Sequence, residues 1–130
     1  MPLSAYAEKL TLDWLLGGAA ATRPAQRWVG LSYGTPSSTS ASELGVGGAY
    51  TRVTLSAAAA ASPGGSASNA GGIVFAAFTA ASTIRGWQIW DTQGIGAGNM
   101  LFNGTLTAAT LPASASQFTC GAGNWIGSAV

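Results

Sequence analysis

Carboxylates, thiols and imidazoles are scarce in this chain. The carboxylates are Glu8, Asp13, Glu43 and Asp91, the one thiol is Cys120, and there is no histidine anywhere in 130 residues. Side-chain catalysis needs an acid, a base or an activated nucleophile within hydrogen-bond reach of its target. Histidine is the commonest source of both the base and the metal ligand. Glu8 and Asp13 fall on a predicted helix, Glu43 falls in a flexible loop, and Asp91 opens a hairpin turn, so local spacing makes no acid/base pair. Asp91 is expected to hydrogen-bond the backbone of its own turn. The single cysteine excludes an intrachain disulfide, and Cys120, in Gln117-Phe118-Thr119-Cys120, reads as a buried small apolar residue. One cysteine, no histidine and dispersed carboxylates build no metal shell. Gly94-Ile95-Gly96-Ala97-Gly98 lacks the G-x-G-x-x-G spacing and a following Lys-Ser/Thr, so it reads as a β-turn and not a phosphate cradle. Asn103-Gly104-Thr105 matches a glycosylation acceptor, with nothing else pointing to secretion. The expectation is a chain that is not an enzyme, with no catalytic residue, no cofactor and no metal.

Binding chemistry is better represented. Five tryptophans are present, and Trp87 and Trp90 are three apart on one predicted strand, so their rings are expected on opposite faces. An outward aromatic on a sheet serves as a sugar-stacking platform or as an anchor in a protein interface, while core packing is the commonest fate of any single one. Only 7% of residues are charged, against roughly 25% in an ordinary soluble protein. A surface made of Ser, Thr, Asn and Gln costs little to desolvate and suits a subunit packed against neighbours. The net charge is +1, and Lys9, Arg23, Arg27, Arg52 and Arg85 are scattered, which argues against nucleic acid as a partner and favours solvated or salt-bridged roles for them. No uncharged apolar run reaches the roughly 18 residues of a membrane-spanning helix, and Met1-Pro2-Leu3-Ser4 lacks a basic leader. No membrane role is expected, and the site of synthesis and folding is expected to be a cytoplasm.

The elements that must position these groups follow from periodicity. Leu3, Tyr6, Ala7, Leu10 and Trp14 mark one face of a helix over 3–16, entered at Pro2 and stopped by Gly17-Gly18. Leu12, Leu15 and Leu16 widen the apolar stripe, either to meet another subunit or to plug the chain's own core. After Pro24 the period becomes 2. Strands are expected at Arg27–Tyr33, Tyr50–Leu55, Gly72–Ala76, Ser82–Trp90, Asn99–Leu106, Ser116–Cys120 and Asn124–Val130. In the first of these, Val29, Leu31 and Tyr33 share a face; in the second, Thr51, Val53 and Leu55 alternate against Tyr50, Arg52 and Thr54. In Ser82–Trp90, Ile84 falls on the side of Gly86, Gln88 and Trp90. Gly34–Ser40 is a turn-rich loop, and Ser56–Ala70 is a low-complexity Ala/Ser/Gly segment that could hold a weak strand. The fold class is therefore mainly β: an antiparallel β-sandwich or jelly-roll-like barrel with one N-terminal α-helix. The expected organisation is a single domain, 1–130, with the helix at 3–16 and the sandwich at 27–130.

An ordered set of segments adds to this reading. It runs from Pro2-Leu3-Ser4-Ala5-Tyr6-Ala7-Glu8 and Leu15-Leu16-Gly17-Gly18 through Trp28-Val29-Gly30-Leu31-Ser32, Glu43-Leu44-Gly45 and Gly48-Ala49-Tyr50-Thr51-Arg52. It continues with Ser68-Asn69-Ala70, Ile73-Val74-Phe75, Gly86-Trp87-Gln88-Ile89-Trp90-Asp91 and Gly98-Asn99-Met100-Leu101-Phe102-Asn103-Gly104-Thr105-Leu106. Together these segments resemble a family of small tailed-bacteriophage structural proteins, described as tail fibre or head decoration proteins. The resemblance implies a β-rich virion component with no catalytic residues. The favoured expectation is a capsid decoration (cement) protein that binds the outer head surface and stabilises it. Its partners would be the major capsid protein and further copies of itself, a trimer by analogy with other decoration proteins. The alternative is a tail or tail-fibre component contacting host-surface carbohydrate. Candidate interface residues are Tyr6, Leu12, Leu15, Leu16, Trp28, Trp87 and Trp90.

Overall fold

The computed structural model of the chain describes residues 3–17, 22, 24–45, 50–55, 66–77, 82–111, 117–120 and 126–128. Among these residues one helix, α1 (Ala5–Leu16), precedes eight strands. These are β1 (Trp28–Ser32), β2 (Val53–Thr54), β3 (Ser66–Ser68), β4 (Ile73–Val74), β5 (Ser82–Trp90), β6 (Met100–Leu111), β7 (Thr119–Cys120) and β8 (Ile126–Ser128). The largest sheet has the order β2-β1-β5-β6, and the pairs β3-β8 and β4-β7 form two small sheets. Every pairing is antiparallel. The main sheet is open, with β2 and β6 at its edges, so it does not close into the barrel that was one of the two expected forms.

The helix begins later than its apolar pattern suggests. Ser4 is the N-cap, its hydroxyl accepting from the Ala7 N–H at 3.1 Å, while Leu3 forms a bridge with Phe102 of β6. A capping hydroxyl satisfies one of the donors that a helix leaves unpaired at its start. The Ser4 backbone N–H donates to the Leu101 carbonyl at 2.9 Å and its hydroxyl to Met100 O, which ties the helix start to β6. Gly17 ends the helix in the left-handed conformation, φ 73°, as expected.

One face of the main sheet carries Val29, Leu31 and Ile89, packed with Ile73, Phe75 and Leu55 in the buried core. The β4-β7 side of the molecule supplies the second layer through Phe75, with Phe118 and Cys120 at its margin. A register shift in β5 between Ile84 and Gly86 corrects the simple alternation: Ile84 leaves the face of Gln88 and Trp90 and joins Ile89 in the core. Trp87 also turns to this side and lies on Gly104 of β6, where any Cβ would meet the indole ring. The other face is covered by the loop from Pro36 to Glu43. Asn103 donates to Ser37 O at 3.3 Å, and Gln88 donates to Ala41 O at 2.6 Å.

Strand β1 stops at Ser32, which leaves Tyr33 exposed and not on the core face with Leu31. The expected strand Tyr50–Leu55 shrinks to two residues, and the buried members are Tyr50, Arg52 and Leu55. Ordinary hydropathy alternation fails there because Arg52 is taken inward by a partner from elsewhere in the chain.

Candidate functional site

The four carboxylates are placed separately. Glu8 is exposed on α1, Asp13 pairs with Lys9 one helical turn away, and Asp91 accepts from the Asn99 backbone N–H at 2.7 Å and its side-chain amide at 2.8 Å. The Asp91 contacts hold the turn between β5 and β6, matching the turn role read from its position.

Glu43 departs from expectation. It does not lie loose in a loop but forms a buried, bidentate ion pair with Arg52: Nε donates to Oε1 and Nη2 to Oε2, both at 2.7 Å, with side-chain exposures of 0% for Arg52 and 8% for Glu43. Nη1 of Arg52 donates to Thr92 O at 2.8 Å and Ala97 O at 3.1 Å. Its guanidinium lies 3.8 Å from the centre of a Trp90 ring, a cation–π contact. Ser42, at φ 47°, turns the chain between Ala41, held by Gln88, and Glu43, held by Arg52. A buried charge is tolerable only when its donors and acceptors are met, and here one guanidinium ties together the 41–44 loop, the β2 approach and the 92–97 turn.

Tyr50 completes the cluster. Its hydroxyl accepts from the Leu31 N–H at 2.9 Å and donates to Glu43 Oε1 at 3.0 Å. The hydroxyl thus serves a β1 donor beyond the last residue paired with β2. Burial pushes the Tyr50 hydroxyl far above the ordinary tyrosine value, and the Glu43 carboxylate pushes it the same way. The unfolded hydroxyl ionises near pH 10, while the folded one resists ionisation. Its contribution is therefore fully present below about pH 10 and falls above it, by about 1.4 kcal/mol per pH unit while the folded hydroxyl stays protonated. Urea unfolding is expected to show no Tyr50-linked loss of stability between about pH 9 and about pH 10 and a falling stability from about pH 10 to about pH 11. In Tyr50→Phe the slope should disappear; its survival would assign the alkaline sensitivity to another group.

The remaining candidate residues divide into separate places. Trp28 is half-buried and directly opposite Trp90 in the β1-β5 ladder. Trp87 and Trp90 do face opposite ways, Trp87 toward the core and Trp90 beneath Arg52. Tyr6 and Trp90 come together, lining an open cleft of about 240 Å³ with Ser38, Thr39, Gly98 and Asn99. Gly98 has φ 80°, and a side chain there would collide with Thr92 and Asp91, so only glycine fits that wall.

Leu12, Leu15 and Leu16 are exposed, as is Trp14. Trp14 lies two turns beyond Ala7 and therefore on the same side of the helix. Ala7 is buried but Trp14 is 68% exposed, so what separates them is position along the axis. The helix leaves the sheet after about Leu10, and its last six residues, roughly 9 Å of helix, project with leucine and tryptophan on several sides. The sequence places Trp14 on the helix face of Ala7, and the structure leaves that part of the face uncovered. Among the described residues no helix is long and apolar enough to cross a membrane.

Comparison with known proteins gives one family. The family described as Podophage GP4 fiber I protein gp80 matches residues 2–126. No curated protein matches the chain.

Proposed function

The chain belongs to the family of the podophage GP4 fiber I protein gp80, and on that premise we propose that it is a subunit of a phage fibre whose work is assembly and not catalysis. It is a phage structural protein with a mainly β fold and a virion location. The observation that carries the finer reading is the projecting end of α1. Leu12, Trp14, Leu15 and Leu16 are between 56% and 79% exposed, on a helix that is apolar on several sides. Such a helix end belongs inside a protein environment. We assign its seat to a neighbouring subunit, in the first place another copy of the chain. Copies carrying only +1 net charge repel each other little on approach. The Arg52 cluster fits the same role, since it stiffens the loops without offering a reactive group to solvent.

Cementing of the head surface, with the major capsid protein as partner, is the second reading; the low charge and small size favour it equally. Labelled antibody against the chain, imaged on intact particles, separates the two: label along fibres supports the first, and label spread over the head replaces it with the second. Leu15→Glu/Leu16→Glu is expected to fold as a monomer, to lose self-association in light-scattering measurements and to be missing from assembled particles. Wild-type incorporation of that variant would remove the helix end from the account.

A further inference from the structure

The cleft between the start of α1, the 37–41 loop and the β5-β6 turn has the chemistry of a small ligand site. Its volume of about 240 Å³ lies below the roughly 300–1,000 Å³ of pockets for drug-sized ligands, so it suits a single ring and not an extended chain. Its lining includes no residue with a formal charge. Asp91, which adjoins it through Asn99, has both carboxylate oxygens engaged by Asn99.

The walls are fixed and their polar groups are available. The loop is pinned by Ser37 N to Ser40 O at 2.7 Å, by Ala5 N to Ser38 O at 3.1 Å and by the Gln88 and Asn103 amides. Ser38 and Thr39 are exposed on that pinned loop, and their hydroxyls make no hydrogen bond among the described residues. Asn99 is oriented because its amide nitrogen is held by Asp91, which leaves Oδ1 as a fixed acceptor. Tyr6, 40% exposed, and Trp90 bring two aromatic rings to the same space. The Trp90 indole N–H is enclosed, so Trp90 offers the cleft its ring and not a donor.

Preorganised hydroxyl and amide groups, aromatic rings and no charge match a neutral polyol ring. A phosphate or carboxylate would find no cation in the lining, and an ammonium group would find no free anion. We propose that this cleft binds one neutral hexose ring, with Tyr6 and Trp90 against the ring and Ser38, Thr39 and Asn99 on its hydroxyls. The site does not depend on how the chain assembles, so it stands or falls separately from the fibre role.

The test is saturation-transfer NMR on the purified full chain with glucose, galactose, mannose and N-acetylglucosamine, and with acetate and inorganic phosphate as charged probes. At least one neutral sugar is expected to bind with a dissociation constant on the order of millimolar, the strength a single ring commands. Tyr6→Ala and Thr39→Ala, both at exposed positions, should each weaken that binding by roughly tenfold or more while leaving the thermal unfolding curve in place. Absence of binding by every neutral sugar overturns the proposal. So does binding that survives both substitutions, or equal binding of acetate or phosphate.

Discussion

Replacing Glu43 with alanine is expected to lower the unfolding free energy by about 3–5 kcal/mol, the usual cost of leaving a buried charge without its partner. Arg52 would remain fully enclosed, with the Thr92 and Ala97 carbonyls and the Trp90 ring as its remaining partners among the described residues. Tyr50 would lose its hydrogen bond to Glu43 as well. For a domain whose whole stability is about 5–15 kcal/mol, this is a large fraction, and urea unfolding measures it directly. Removing both charges, in Glu43→Leu/Arg52→Met, should cost much less than Glu43→Ala alone, because no orphaned charge is left. If Glu43→Ala costs less than about 1 kcal/mol, in the range of an exposed pair, the ion pair is solvated and the clamp does not exist.

The second large effect is expected at Phe75. Its side chain is 2% exposed and lies between two aromatic neighbours. Tyr50 stacks on it with ring centres 6.1 Å apart, and Phe118 meets it edge-on at 6.1 Å. Phe75→Ala removes the main plug between the β4 side and the main sheet, and should cost about 3–5 kcal/mol through lost transfer energy and a residual cavity. Tyr50 touches both Phe75 and Glu43, so the two substitutions share a neighbour. A double-mutant cycle is expected to show a coupling of about 0.5–3 kcal/mol, where independent sites would add within about 0.5. Additive behaviour would mean that the aromatic core and the polar clamp are separate units.

Much of the fold could be read locally. β5 occupies the stretch marked by alternation, the turn after it opens at Asp91 as its residue types require, and Gly17 stops the helix. The candidate sites were less legible. Spacing places Tyr6 on the helix's apolar face and Trp90 on a strand face opposite Trp87, but their meeting in one cleft depends on Ser4 anchoring the helix start beside β6. Ser38, Thr39 and Asn99 carried no signal, since serines, threonines and asparagines in loops are ordinary turn residues. Glu43 and Arg52 are nine positions apart and gave only the faint hint of opposite charges in a chain that has very few.

By itself, the sequence determined the local plan: a capped helix, antiparallel strands of period 2 and a near absence of charge and of acid–base chemistry. These depend on residues within a few positions of one another, where backbone sterics, capping and side-chain alternation act. Tertiary structure alone decided which groups meet across long loops. Arg52 reaches carbonyls forty and forty-five positions away, and Ser4 reaches one ninety-six positions away. Tertiary structure also decided that α1 outruns the sheet beneath it, because exposure depends on where the partner surface stops and not on the helix's own periodicity.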